Sequence, residues 1–179
     1  GLPKPTVSRL TYTLCSLGYL SHGGRNDRFR LGPSAIALGS VASVAVNFLD
    51  LVSDAMQQLA ADTGTLGLVA VRDDARMMLV RTWRPRNAST IWLEPGHRIP
   101  IRGSSSGMAV VASLSEERFE QLTTDPDMRQ FRSEGFKQLV ARGFASSLGD
   151  ARYANGVNAV SVPYFAEEFG EPVAFSMGA

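Results

Sequence analysis

Two groups of residues have types and spacing suited to chemistry. The first is Gly103-x-Ser105-x-Gly107, with an apolar stretch before it and an apolar segment after it. That pattern is the nucleophile elbow of α/β-hydrolases, in which a serine on a sharp strand-to-helix turn attacks an acyl carbon. The reaction needs an acid and then a histidine further along the chain. This chain has two histidines, His22 and His97, and both precede Ser105. His97 sits in a turn and reads as solvent-exposed. A Ser105 hydrolase therefore stands only as the alternative. The same stretch can bind instead, because small residues opening a helix present N–H groups and hydroxyls to an anion or a carbonyl oxygen. A plain capped turn has the same sequence.

The second group is polar and cationic: Lys4, Thr6, Ser8, Arg9 and Tyr12, then Arg25, Arg28 and Arg30. A DNA major groove, about 12 Å wide, admits one helix, and side chains on its N-terminal half must reach base edges. Ser8, Arg9 and Tyr12 are of that type, and Arg9 can pair bidentately with guanine. Lys4 and Thr6 suit phosphate. The bland alternative is an amphipathic helix and a hairpin with a solvated basic face.

These side chains need a helix and a hairpin to place them. Over residues 3–17 the apolar positions Val7, Leu10, Leu14 and Leu17 recur at three- and four-residue steps, defining one helical face. Lys4, Ser8, Arg9 and Tyr12 fall opposite. Pro3 and Pro5 suit a first turn, and Gly18 suits a C′ stop. Tyr19-Leu20 and Phe29-Arg30-Leu31 read as strands joined by the polar loop 22–27. Phe29 and Leu31 are expected to face inward, leaving Arg28 and Arg30 outward beside Arg25. Helix, hairpin and cations together look like the second half of a winged helix-turn-helix. Cys15 is expected as a small core residue.

Charge supports that division. The 179 residues are 44% hydrophobic and 20% charged, with net charge +1. Residues 1–32 carry five cations against one acid, giving +4, and the remainder carries 13 against 16, giving −3. A basic head on a mildly acidic body fits polyanion binding by the head alone. One cysteine excludes an internal disulfide and a multi-cysteine metal site. No apolar run long enough to span a membrane and no signal peptide is visible, so a cytoplasmic protein without a cofactor or metal is expected.

Beyond Gly32-Pro33, residues 34–48 read as a helix rich in small residues whose apolar positions nearly circle it, so it must be buried within the fold or against a second copy. Residues 49–63 form another helix, with Leu51, Met56, Leu59 and Ala60 toward a core. Residues 65–71 and 77–82 are a predicted hairpin, and 90–93 a short strand. Helices follow at 108–114, after Ser115 and at 128–142, and strands at 144–147, 157–165 and 172–177. About six strands with flanking helices make an α/β domain like the GAF sensors.

Leu2-Pro3-Lys4, Thr6-Val7, Arg9-Leu10, Leu17-Gly18-Tyr19-Leu20 and Arg28-Phe29-Arg30-Leu31-Gly32 resemble the DNA-binding domain of the IclR family of transcriptional regulators. Ile99-Pro100-Ile101 with 104–112, Gly156-Val157-Asn158, 160–164 and 173–176 resemble that family's pocket segments. The resemblance implies a partial winged helix (1–32) lacking two preceding helices, a linker helix (33–48) that pairs protomers, and an effector-binding domain (49–179) incomplete at its C-terminus. It implies operator DNA and a small organic effector as partners, and a homodimer or tetramer. Carried over, Ile91, Ile99, Ser105, Ser106, Val157, Ala159 and Ser176 would face the ligand, with Ser104 adding a hydroxyl. Arg102 stands where histidine is usual and Met108 where lysine is usual. The usual pocket carboxylate is replaced, with Asp150 as its nearest substitute. An aromatic compound, or a small carboxylic acid held by backbone N–H groups and Arg102, then fits best, and Trp83 or Trp92 could stack on a ring. A GAF-like sensor acting through protein partners is the remaining alternative.

Overall fold

The computed structural model describes residues 1–23, 28–85, 93–148 and 157–179. The chain divides into two compact units, Gly1–Phe48 and Leu49–Ala179.

In the first unit α1 (Lys4–Ser16) starts behind Pro3, with a proline in its first turn. Gly18 adopts φ 75° and ends it. The Gly18 N–H donates to Cys15 O and the Tyr19 N–H to Leu14 O, which together satisfy carbonyls the helix leaves open. Antiparallel β1 (Leu20–His22) and β2 (Phe29–Leu31) follow, with Leu20 opposite Leu31 and His22 opposite Phe29. Alternation sets Phe29 and Leu31 on one face and Arg30 on the other. The expected inward packing is not what the structure shows: Phe29 and Leu31 are both exposed. Two helices and a two-stranded hairpin offer too little surface to cover that face, and Val7, Leu10 and Leu14 on α1 and Leu17 at its C-cap are open as well. Cys15 is half-buried rather than a core residue.

Pro33 opens α2 (Pro33–Ala45) at N1, where it removes no helical bond. The helix ends at Val46, at φ −117° and ψ 62°, and a separate short α3 (Asn47–Leu51) begins. The predicted single helix to 48 thus stops early. No residue of α2 is buried.

In the second unit α4 (Ser53–Thr63) ends at Gly64, φ 65°. Met56 and Ala60 are buried, but Leu51 and Leu59 are exposed, against expectation. The break at Val52 takes Leu51 out of the helix, and a 100° rotation per residue turns Leu59 off the stripe shared by 56 and 60.

The sheet has the order β5-β4-β3-β8-β7-β6, every neighbour antiparallel. Its strands are β3 (Leu66–Asp73), β4 (Arg76–Trp83), β5 (Arg98–Pro100), β6 (Ala145–Ser147), β7 (Ala159–Ala166) and β8 (Glu171–Gly178). The β3–β4 hairpin falls where alternation placed it, while the predicted strand at 90–93 lies almost wholly outside the described residues. On one sheet face, Leu66, Leu68, Ala70, Met77 and Leu79 pack with Val110, Val111, Leu114 and Phe119 into the main core. These come from α5 (Ser105–Ser113), the loop after it and α6 (Glu116–Leu122). Behind α5 lies α7 (Pro126–Arg142), close enough that a Cβ at Gly135 would overlap Met108. The other face carries α4, tied down where Trp83 Nε1 donates to Ser53 Oγ at 2.9 Å.

Glu116 at the start of α6 accepts from Arg132 and, at 2.6 Å, from Arg129. These guanidinium bonds, Arg132 foremost, hold its carboxyl below the usual carboxylate range. A lowered pKa in the folded state gives stability that is present above the unfolded value and fades as pH falls through the folded one. Glu116→Gln should therefore destabilise the protein at about pH 7, with the difference shrinking toward about pH 3, as read from urea midpoints at both.

Candidate functional site

Two places on the chain carry candidate chemistry, one in each unit. In the second unit the chain leaves β5, turns at Gly103 (φ 88°) and enters α5. Ser104 is the N-cap: its Oγ accepts the Gly107 N–H at 3.1 Å and donates to Pro100 O at 2.7 Å. Gly107 is obligatory, since a Cβ there would overlap the carbonyl oxygen of Ile101. This close approach seats the first turn of α5, with Ser105 and Ser106, against β7 and β8.

A cavity of about 100 Å³ opens at that turn. The structure brings Ile99, Ser104, Ser105 and Ser106 to its wall together with Val157, Ala159 and Ser176. All were picked out in the sequence. Ile91 and Asp150, also picked out, lie outside the described residues, as does Trp92. Leu66, Leu68 and Leu93 form apolar wall that the sequence reading missed, with Ser147, Met177 and Gly178 beside them. For Leu66 and Leu68 the signal was present only as inward alternation along β3.

Three buried serines of the wall, Ser105, Ser106 and Ser176, are linked through Ser161 behind it. Ser161 Oγ donates to Ser105 Oγ at 2.7 Å, and is 2.7 Å from Ser176 Oγ, which is 2.9 Å from Ser106 Oγ. No ionisable side chain lines the cavity among the described residues. Arg102 is not there: its guanidinium pairs with Asp127 at 2.9 Å and Asp125 at 3.9 Å. Met108 faces α7 at Gly135. Trp83 is buried against α4 and takes no part in the wall.

Among the described residues no acid and histidine are assembled at Ser105 for the hydrolase alternative. Neither histidine bonds to Ser105, whose hydroxyl accepts from Ser161. His97 lies on an exposed turn, where its Nδ1 accepts the Glu94 N–H at 3.1 Å. Among the described residues no group of three or more His, Cys, Asp or Glu could hold a metal ion, and no helix is long and apolar enough to cross a membrane.

In the first unit Lys4, Ser8, Arg9 and Tyr12 are exposed on α1, and Thr6 is half-buried in its first turn. Successive 100° steps put Lys4, Ser8, Tyr12 and Arg9 within one arc of about 140°. Arg28 and Arg30 are exposed at the hairpin, where the His22 and Phe29 rings meet at 4.8 Å. Among the described residues none of Lys4, Arg9, Arg28 and Arg30 pairs with an acid. Arg25 lies outside the described residues.

No family model matches the chain. It is 27% identical over 124 residues to the HTH-type transcriptional regulator TsaQ1/TsaQ2 of Comamonas testosteroni, covering 68% of this chain and 45% of that protein. It is 25% identical over 186 residues to the transcriptional repressor IclR of Escherichia coli, covering 97% of this chain and 67% of the repressor. The chain thus spans under half of the first relative and about two thirds of the second. Among solved structures, an IclR-family transcriptional regulator from Brucella abortus superposes with a TM-score of 0.71 at 27% identity, covering 100% of this chain and 70% of that one. An IclR homologue from Microbacterium hydrocarbonoxydans, complexed with 4-hydroxybenzoate, superposes with a TM-score of 0.74 at 19% identity, covering 99% and 75%. These are regulators by name, and their folds join a winged helix to a GAF-like domain. In its motifs at residues 2–32 and 99–112, in sequence along nearly its whole length and in fold, the chain is similar to transcriptional regulators of the IclR family.

Proposed function

We propose that the protein is a transcriptional regulator whose first unit grips operator DNA and whose second unit senses a small organic effector. The observation that carries this reading is the division of chemistry between the units. Four exposed cations without acidic partners among the described residues sit on a helix and hairpin, while a separate cavity holds hydroxyls and apolar wall with no charged side chain among its described residues. Arg9, with Ser8 and Tyr12, reads bases; Lys4, Thr6, Arg25, Arg28 and Arg30 hold the backbone. The segment 1–32 acts as the DNA-binding part, 33–48 as the linker and 49–179 as the sensor.

Dimerisation belongs to the same reading. Ile36, Leu38, Val41 and Val44 on α2 are exposed, at 58% to 74%. A helix apolar all round is covered in its working state, and a second copy of α2 would cover it. Two heads then meet half-sites one helical turn, or a multiple of it, apart, at about 34–36 Å per turn.

The effector is a small molecule with an acceptor oxygen, such as an aromatic compound or a small carboxylic acid. The 4-hydroxybenzoate held by a structural relative supports that class. Ile91 and Asp150 complete its contacts in this reading. Coupling requires the ligand to bind two arrangements of the heads unequally. Ala159→Leu, which fills the cavity from β7, tests the division: DNA affinity should stay within about twofold while its response to added 4-hydroxybenzoate disappears, given coupling factors of about 5–150-fold in such systems. Loss of DNA binding in the unliganded variant, or a response equal to the parent's, would contradict the reading.

A further inference from the structure

The direction of each hydrogen bond along the buried serines is determined by counting protons. A serine hydroxyl has one proton to donate. Ser161 spends its proton on Ser105. The 2.7 Å contact between Ser161 and Ser176 must then use the proton of Ser176. The 2.9 Å contact between Ser176 and Ser106 must in turn use the proton of Ser106. The chain therefore runs one way, from Ser106 through Ser176 and Ser161 to Ser105. At its end Ser105, 2% exposed, has a hydroxyl proton with no acceptor among the described residues, and it lies in the cavity wall. Beside it, the N–H groups of Ser105 and Ser106 in the first turn of α5 have no acceptor among the described residues either.

We infer that Ser161, which is not part of the cavity wall, sets the cavity's hydrogen-bond polarity and thereby selects effectors that present an acceptor oxygen, a carboxylate or a carbonyl, to Ser105. A hydroxyl that already accepts a bond donates a stronger one, and its rotation is restrained. Ser105 so held offers a proton to an incoming oxygen and is poorly placed to turn and accept one from a ligand hydroxyl. This inference rests on the cavity being the effector site.

Ser161 is thus a positioning residue, and a preference between ligands reports on it. Isothermal titration of the whole protein with 4-hydroxybenzoate and with 4-hydroxybenzyl alcohol compares a carboxylate, which only accepts, with a hydroxyl that both accepts and donates, on the same phenol ring. The ligand charge is the same for parent and variants, so a change in the ratio of the two affinities isolates Ser161. The parent should prefer 4-hydroxybenzoate. Ser161→Ala should narrow that preference about fivefold, the order of one hydrogen bond, and Ser161→Thr, which keeps the hydroxyl, should restore the parent's ratio. If Ser161→Ala does not fold, Ser161→Cys keeps the volume with a weak donor and should narrow the ratio likewise. An unchanged ratio in either variant, with both ligands still bound, would overturn the role of Ser161 and leave the cavity's assignment standing. No binding of either ligand to the parent would overturn both.

Discussion

Gly107→Ala should unfold or severely destabilise the second unit, by about 3 kcal/mol or more. The added Cβ would overlap the carbonyl oxygen, carbonyl carbon and Cα of Ile101, all backbone atoms. None can swing aside as a flexible side chain would. Moving α5 outward relieves the overlap only by opening the core, because Val110 and Val111 on the same helix are fully buried against β3 and β4. Gly143→Ala is the matched control. Gly143 has φ 78° but open space around its Cβ position, so the substitution should cost only about 1 kcal/mol of left-handed strain. Urea denaturation of both variants makes the comparison. Equal losses would mean that the approach of α5 to the Ile101 backbone does not hold the cavity's first turn in place.

The second large effect is expected at the head. Arg9→Ala should weaken binding to the preferred duplex by about 1–3 kcal/mol and relax the choice of base at one position. Arg28→Ala should weaken every duplex alike and flatten the salt dependence by about one unit for each phosphate that the variant leaves unneutralised. The contrast follows from position in the proposed reading: Arg9 lies on the helix proposed to enter a groove, and Arg28 flanks the hairpin proposed to ride on the backbone. Binding to a panel of selected and scrambled duplexes separates the two. Equal losses for both variants on every sequence would remove the base-reading role from Arg9.

Local signals in the sequence located most elements, because their causes are local. Gly18, Gly64 and Gly143 end helices through left-handed backbone that other residues resist. Ser104, Ser115 and Asp125 cap helices through bonds to residues two or three positions ahead. Alternation foretold the β3–β4 hairpin. Burial was less legible, because it depends on what lies opposite. Phe29, Leu31, Leu51 and Leu59 have the chemistry of core residues and are exposed, since an apolar pattern says which face seeks cover but not whether cover exists.

The cavity shows the same boundary. Its serines were visible as a run of small residues, and Ser161 stood in the right strand. Nothing local marks Ser161 as a partner of Ser105, 56 positions away. Arg102 was assigned to the pocket by its place beside the serines. Its capture by Asp125 and Asp127 depends on α7 being folded back over that corner, a long-range fact. Trp83 likewise reads as a loop aromatic until α4 lies across it.

The claim on which the rest depends is that the exposed cations of α1 and the hairpin dock on nucleic acid. Fluorescence anisotropy of a labelled duplex, enriched by selection against the protein and titrated across salt concentrations, tests it directly. The logarithm of the affinity should fall linearly with the logarithm of salt, at about 0.9 per phosphate neutralised and several units in all. Binding that ignores salt, or no retention of any duplex at low salt, would contradict it.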